Sequence, residues 1–245
     1  MRIVVCSDLH LDWVSSGVSR FDEVAAAVDR IVDVAIEREA DAWLFAGDAM
    51  NPDSGSCVFR CLDVLVRATV RCQRAGIRSI LLAGNHDSIE SGRSNDTTLS
   101  PLRSLPGVDV LESPRLIVLT DKNGLEVQLL GLPYVSTSND YSPAAVIDRE
   151  CGGIGPLLVV EHLNVRGIVP GSETDDMPRG RSVWFPDEEV MDVARRRPTT
   201  VIGGHFHRAQ RHTCPSGLEV RIVGSVCVLT HGEEANSPSF LVVDL

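Results

Sequence analysis

No stretch of this 245-residue sequence approaches the roughly 18 consecutive apolar residues that a membrane-spanning helix needs. The opening, MRIVVCSDLH, lacks the long apolar core and cleavage site of a secretory leader. It reads as a first β-strand, and a cytoplasmic setting is expected. Cysteines occur at 6, 57, 61, 72, 151, 214 and 227, but no CxxC pair is among them. That irregular spacing offers neither a thiolate zinc site nor a disulfide framework, so the thiols are expected to be reduced core residues. Positive charge is short as well, with 23 Lys and Arg against 34 Asp and Glu and a net charge of −11. A chain coated in positive charge for nucleic-acid binding is excluded; a local basic strip is not. Internal repeats, low-complexity tracts and an interdomain linker are lacking too, so residues 1–245 are expected to form one domain. What remains, 43% hydrophobic and 23% charged, is ordinary globular composition.

The first hundred residues alternate strand and helix. RIVVC (2–6), AWLFAG (42–47) and SILLAG (79–84) are apolar runs of strand length. Between them, 21–39 and 57–75 carry helical periodicity. Phe21, Val24, Val28, Ile31, Val32, Ala35 and Ile36 share one face of the first, and Val58, Leu62, Leu65, Val66 and Thr69 one face of the second. A βαβαβ order predicts a parallel sheet with right-handed crossovers. Beyond about residue 105 short strands are predicted at 108–111, 115–119, 126–131, 157–161, 200–203, 209–213, 218–223 and 238–243. Helices are predicted at 143–150 and 186–197, the latter with Pro186 in its first turn and Arg195, Arg196 and Arg197 at its favourable end. Polar stretches at 88–101 and 167–182 read as loops, the second as a candidate lid.

Chemistry-bearing residues collect at strand ends. The first strand runs into Ser7-Asp8-Leu9-His10, the second into Gly47-Asp48 and the third into Gly84-Asn85-His86-Asp87. LLVVEH ends in His162, and TVIGGHFH in His205 and His207. Singly, each is read as an ordinary turn, cap or structural histidine. Ligands in parallel α/β sheets bind beyond the carboxyl ends of strands, so five such ends should converge. Imidazole, carboxylate and amide donors without thiolate suit Mn2+, Fe or Zn2+. Seven candidate ligands besides His86 are too many for one ion and a natural number for two sharing a bridge. Paired ions clamp the attacking and leaving oxygens of phosphoryl displacement and acidify water, so phosphoester hydrolysis is expected.

These motifs in this order (D-x-H at 8–10, G-D at 47–48, G-N-H-D at 84–87, His162, and G-H-x-H at 204–207) resemble those of the calcineurin-like metallophosphoesterases. The resemblance implies a four-layer α/β/β/α sandwich. It implies one metal held by Asp8, His10 and His207, a second by Asn85, His162 and His205, and Asp48 bridging both. His86 then corresponds to the histidine that contacts the phosphate or protonates the leaving oxygen. Within the superfamily the chain is similar to the DNA-repair nucleases that include the nuclease subunit of SbcCD complexes. The residues carrying this are Ser7 to Leu11, Gly204 to Gln210, Gly224-Ser225, Gly232-Glu233-Glu234 and Phe240 to Leu245. Mn2+, DNA as substrate and an SMC-like ATPase partner follow as implications. Three departures stand against a full carry-over. Asn51 occupies a position where many of these nucleases have His or Asp, and neither a capping domain nor the helical segment that docks the ATPase is expected within 1–245.

Arg166, Arg181 and Arg208 are candidate phosphate contacts, with Arg179 and Arg211 nearby. Trp13 and Trp184-Phe185 are candidate base-stacking groups, though core packing reads equally well. His212 and His231 match no motif and are expected to be structural. The main alternative is a phosphodiesterase acting on cyclic nucleotides or other small phosphoesters. The protein-phosphatase branch is disfavoured because Ala-Met-Asn follows Asp48 where that branch has Asp-x-Val-Asp-Arg-Gly. A metal-free interaction module is disfavoured because every ligand position is intact.

Overall fold

The computed structural model describes residues 1–89, 96–134, 142–170 and 183–245. In chain order its elements are β1 (Arg2–Cys6), a small hairpin of β2 (Val14–Ser15) and β3 (Val18–Ser19), α1 (Phe21–Glu37), β4 (Ala42–Phe45), α2 (Cys57–Arg74), β5 (Arg78–Leu82) and β6 (Val108–Leu111). The second half adds β7 (Arg115–Thr120), β8 (Glu126–Leu132), α3 (Pro143–Glu150), β9 (Leu157–Glu161), α4 (Asp187–Ala194) and β10 (Thr199–Gly203). It closes with β11 (Gln210–Thr213), β12 (Glu219–Ile222) and β13 (Leu241–Asp244).

Two sheets result. The first has the order β13-β1-β4-β5-β6, parallel except for β13, which pairs antiparallel with β1. The second has the order β11-β12-β10-β9-β8-β7, with a parallel centre and antiparallel edge strands β7 and β11. Side chains alternate across each strand, so each sheet divides its apolar residues between two faces. Val4, Cys6, Trp43, Phe45 and Leu81 pack with α1 and α2. Their neighbours Ile3, Val5, Leu44, Ile80 and Leu82 meet Val127, Leu129, Leu158, Val160 and Ile202 of the second sheet. Leu130, Leu132, Leu157, Val159 and Val201 face Val146, Ile147, Val190 and Val193 of α3 and α4. Three apolar layers thus separate four structural ones, α/β/β/α. Each fully buried aliphatic side chain contributes about 1.5–3 kcal/mol.

The helices follow from local rules with two adjustments. On α1 the expected face is buried except for Ile36, which is 38% exposed beside the left-handed residue Glu39 that ends the helix. On α2 the buried face is Cys61, Val64, Leu65, Ala68, Thr69 and Cys72, leaving Val58 and Leu62 on its flank. Small cysteines and alanines let α2 approach the sheet along a stripe rotated from the predicted one. Helix α3 matches its prediction, with Ser142 Oγ accepting the Ala145 amide and Pro143 in the first turn.

The predicted 186–197 helix is shorter at both ends. Pro186 is its cap rather than its first turn, and the arginines lie past Ala194. Arg197 does not serve a helix end. It is buried and donates to the carbonyls of Gly155 (2.7 Å) and Pro156 (3.1 Å) and to Gln128 Oε1 (2.9 Å), tying the turn before β9 to β8. The proposed lid at 167–182 lies largely in 171–182, outside the described residues.

Candidate dinuclear metal centre

The loops after β1 and β4 run side by side. The amides of Asp8 and Leu9 donate to the carbonyls of Gly47 and Asp48, each at 2.9 Å, and the Leu11 amide donates to Ala49 at 2.9 Å. Within these turns Asp8 (φ 52°), His10 (φ 43°) and Asp48 (φ 63°) are left-handed, as is His205 (φ 72°) after β10. Six described non-glycine residues have positive φ, and these four are among them. Backbone strain is therefore concentrated where the candidate ligands sit.

Asp87 fastens the third loop to the second. Its carboxylate accepts the amides of Gly84 (2.9 Å), Asp48 (3.0 Å) and Ala49 (3.0 Å) and the Thr98 hydroxyl (3.0 Å). The His86 amide in turn donates to Asp48 Oδ1 at 2.9 Å, and the His205 amide to Asp8 Oδ1 at 3.0 Å. The glycines of the motifs are spatial requirements. A Cβ on Gly47 would lie 2.1 Å from His162 Nδ1, one on Gly84 2.1 Å from Asp48 Oδ1, and one on Gly204 2.3 Å from the Ala46 carbonyl.

All eight expected residues converge. His10 Nε2 lies 3.1 Å from His207 Nε2 and 3.7 Å from Asp48 Oδ2. His162 Nε2 lies 3.1 Å from Asp48 Oδ2 and 3.2 Å from Asn85 Oδ1, which is also 3.0 Å from His205 Nδ1. Asp8, His10 and His207 form one cluster with ligand atoms within 4.8 Å of one another, and Asp48, His162 and His205 a second. His86 joins His10 and Asp48 in a third such grouping, its ring edge-on to His10 at 4.8 Å between centroids. Asp8, His10, Asp48, His162, His205 and His207 are buried, whereas Asn85 and His86 are half-buried at the mouth.

The donor set fits divalent ions. Asp8 Oδ2 is buried with no hydrogen-bond partner, and the imidazole nitrogens of His10 and His207 point at each other. Burial pushes the Asp8 carboxyl up to about 6 and the His205 imidazole down to about 3. Burial likewise takes His10 well below the ordinary histidine range, leaving a neutral ring. Burial opposes ionisation of Asp48, yet His162, His86 and His10 hold its carboxyl well below the usual range. At His162 the Asp48 charge overcomes burial and raises the imidazole, so a proton there balances the carboxylate. A metal ion would replace that proton, since ligands bind deprotonated.

Sequence reasoning passed over the outer partners of the histidines. His162 Nδ1 meets the Ala46 carbonyl (2.7 Å), His205 Nε2 meets Asn164 Oδ1 (3.3 Å), and His207 Nδ1 meets Glu233 Oε1 (2.6 Å). Asn164 was legible only as a polar residue two positions after His162. Among the basic candidates, Arg166 and Arg208 are exposed; Arg179 and Arg181 lie outside the described residues. The Arg166 guanidinium sits 5.9 Å from the ring centroid of Trp184, which is 45% exposed. Phe185 is buried, and Trp13 packs edge-on against His10 at 5.8 Å. His212 Nε2 bonds the Arg166 carbonyl at 2.8 Å, in keeping with a structural role.

A parallel-stranded sandwich with this donor cluster at its strand ends defines a metal-dependent phosphoesterase hydrolase. Residues 1–209 match the calcineurin-like phosphoesterase family, and the chain belongs to that family. It is 26% identical over 263 residues to an SbcCD nuclease subunit of Escherichia coli, covering 95% of this chain and 62% of that one. The counterpart of the same name from Rhodobacter capsulatus is 29% identical, with 100% of this chain and 66% of that one covered. The DNA double-strand break repair protein of Sulfurisphaera tokodaii is 22% identical, with 95% and 55% covered. The chain thus spans between half and two thirds of the length of these relatives. Among solved structures, a dimetal phosphatase from Danio rerio superposes with a TM-score of 0.59 at 13% identity, covering 99% of this chain and 91% of that one. Purple acid phosphatase from yellow lupin gives 0.58 at 12% identity, covering 91% and 44%. Both share the fold.

Proposed function

We propose that the chain is a Mn2+-dependent DNA nuclease in which residues 1–245 act as one phosphoesterase domain. The observation that carries this is similarity to the SbcCD nuclease of Escherichia coli over 95% of the chain rather than at the metal motifs alone. The exposed Arg166–Trp184 pair, on the loops that follow His162, supports it by offering a cation and a ring face to a phosphate and a base. Seven free cysteines suit a reducing, cytoplasmic setting, and no described helix is long and apolar enough to cross a membrane. An SMC-like ATPase partner belongs to the same reading.

In this reading Asp8, His10, Asp48 and His207 would hold one ion, and Asp48, Asn85, His162 and His205 the other. The ions supply positive charge for the phosphate and lower the pKa of water. Asp48 Oδ2 lies 3.7 Å from His10 Nε2 and 3.1 Å from His162 Nε2, which supports Asp48 as the residue that would serve both ions. Asp87 keeps it there by fixing the Asp48 amide. His86 donates a proton to the departing oxygen, a contribution of about 10²–10⁴-fold.

The test is a parallel assay of the Mn2+-loaded protein on linear duplex DNA, single-stranded DNA, 2′,3′-cyclic AMP and a chromogenic phosphodiester. DNA should be cut, Asp48→Ala should abolish turnover, and His86→Ala should slow DNA cleavage more than the chromogenic reaction, whose acidic leaving group needs little proton assistance. Intact DNA alongside rapid hydrolysis of a small phosphodiester would replace the nuclease with the small-substrate reading. Full activity in Asp48→Ala would remove the two-ion mechanism itself.

A further inference from the structure

We propose that Glu233 is a positioning residue for the metal centre. Its carboxylate holds the His207 ring in the tautomer and orientation that presents Nε2 to the ion. The inference rests on the dinuclear reading above and concerns a residue beyond the 1–209 family match.

The geometry begins with the turn that delivers the carboxylate. After β12 the chain returns along the His207 loop, where the Ser225 amide donates to the His207 carbonyl at 3.1 Å. It then tightens into a short 3₁₀ turn, His231–Glu233, closed by the Glu233 amide on the Thr230 carbonyl at 3.1 Å. Glu233 ends that turn fully buried. A buried carboxylate needs donors for both oxygens, and two are in place. Oε2 accepts the Leu229 amide at 2.9 Å, and Oε1 lies 2.6 Å from His207 Nδ1. Because the Leu229 amide can only donate, Oε2 is an acceptor and Oε1 is the oxygen left for the imidazole. The Oε1 contact favours the tautomer that carries its proton on Nδ1, which leaves the Nε2 lone pair facing His10 Nε2 at 3.1 Å.

The three histidines of the G-H-x-H and His162 motifs differ in what stands behind them. His162 is backed by the Ala46 carbonyl and His205 by the Asn164 amide oxygen, both neutral. Of the three partners, only that of His207 is a carboxyl group. A carboxylate behind a ligating imidazole raises its basicity, and removal of such a partner typically weakens ion binding about 10–100-fold. Helix packing does not account for the contact, since the turn is three residues long and its neighbours His231 and Glu234 are exposed. Only Glu233 points inward.

Calorimetric titration of metal-stripped protein with Mn2+ tests this, comparing wild type with Glu233→Gln, Glu233→Ala and the exposed control Glu234→Gln. Long-range 1H–15N spectra of the metal-free proteins report the His207 tautomer. Expected are an Nδ1-protonated ring in the wild type, a mixed or reversed tautomer in Glu233→Ala, a tenfold or greater loss of affinity in both Glu233 variants, and no change in the control. Glu233→Gln retains the volume but satisfies only one of the two donors, so it decides the matter alone if the alanine variant does not fold. An Nε2-protonated wild-type ring, or Glu233→Gln affinity within twofold of wild type, would overturn the assignment. Failure of the wild type to bind Mn2+ would instead overturn the dinuclear reading on which it rests.

Discussion

Replacing Gly84 with alanine isolates the role of space in the site. Gly84 is not in the left-handed region, so the substitution adds a methyl group without backbone strain. That methyl would fall 2.1 Å from Asp48 Oδ1, 2.5 Å from the Asp48 amide nitrogen and 2.8 Å from its Cγ. Contacts below 3.0 Å are essentially never tolerated, so Asp48 must retreat by roughly 1 Å. Rotating the carboxylate does not relieve the clash, because the amide nitrogen is itself too close and is tethered to Asp87 Oδ2 at 3.0 Å. The Asp48 carboxylate and the His86 amide that donates to its Oδ1 would move together. A displacement of about 1 Å in a reacting constellation costs about 10²-fold in rate, while overpacking costs about 1–3 kcal/mol of stability. The check is kcat on a chromogenic phosphodiester at saturating Mn2+, with thermal melts to confirm folding. Gly152→Ala, in open space, serves as the silent control. If Gly84→Ala folds and keeps kcat within threefold of wild type, the account of this glycine is wrong.

Two further outcomes follow from the same geometry. Each filled site stabilises by about 2.7 kcal/mol at free ion one hundred times Kd; at roughly 2–4 °C per kcal/mol, chelation should lower Tm by about 10–20 °C, and an unchanged melt would count against two buried ion sites. Glu161 is fully buried beside His162, and burial pushes its carboxyl from 4.5 up to about 8. Its folded form therefore holds a proton that the unfolded chain releases, so its contribution is complete below about 4.5 and is lost as pH rises toward 8. Glu161→Gln should flatten that decline by a few kcal/mol in the metal-stripped protein; parallel stability–pH curves for the two proteins would refute it.

Much of this was readable from local pattern. Strands ending in Asp, Asn and His announce themselves because apolar runs and polar stops are adjacent in sequence, and helix α3 is marked by its own Ser142 cap. The hairpin at 14–19 was not, since two-residue strands carry no periodicity. Nor was the seat of β13 beside β1, a pairing between opposite ends of the chain. The site shows the same division. Its inner donors sit in motifs, whereas Asn164 and Glu233 act through single contacts on side chains 41 and 26 residues away. Asp87 was visible within G-N-H-D, but its work of gathering amides from two loops depends on tertiary placement. Arg197 was misjudged because the end of a helix and the mouth of a neighbouring turn look alike in sequence.

The left-handed backbone at Asp8, His10, Asp48 and His205 has a consequence for how such a chain can drift. Outside glycine, the residues that enter this conformation most readily are asparagine, aspartate and histidine. The same short list supplies hard and borderline donors for ions. At these four positions the demands of the turn and of the proposed ions select one alphabet, so few single steps would satisfy the turn while abandoning the ion. Glycine is the open exit. A descendant of this chain that lost its chemistry while keeping its shape should show glycine or asparagine there, rather than the alanine or leucine that ordinary decay of an active site would leave.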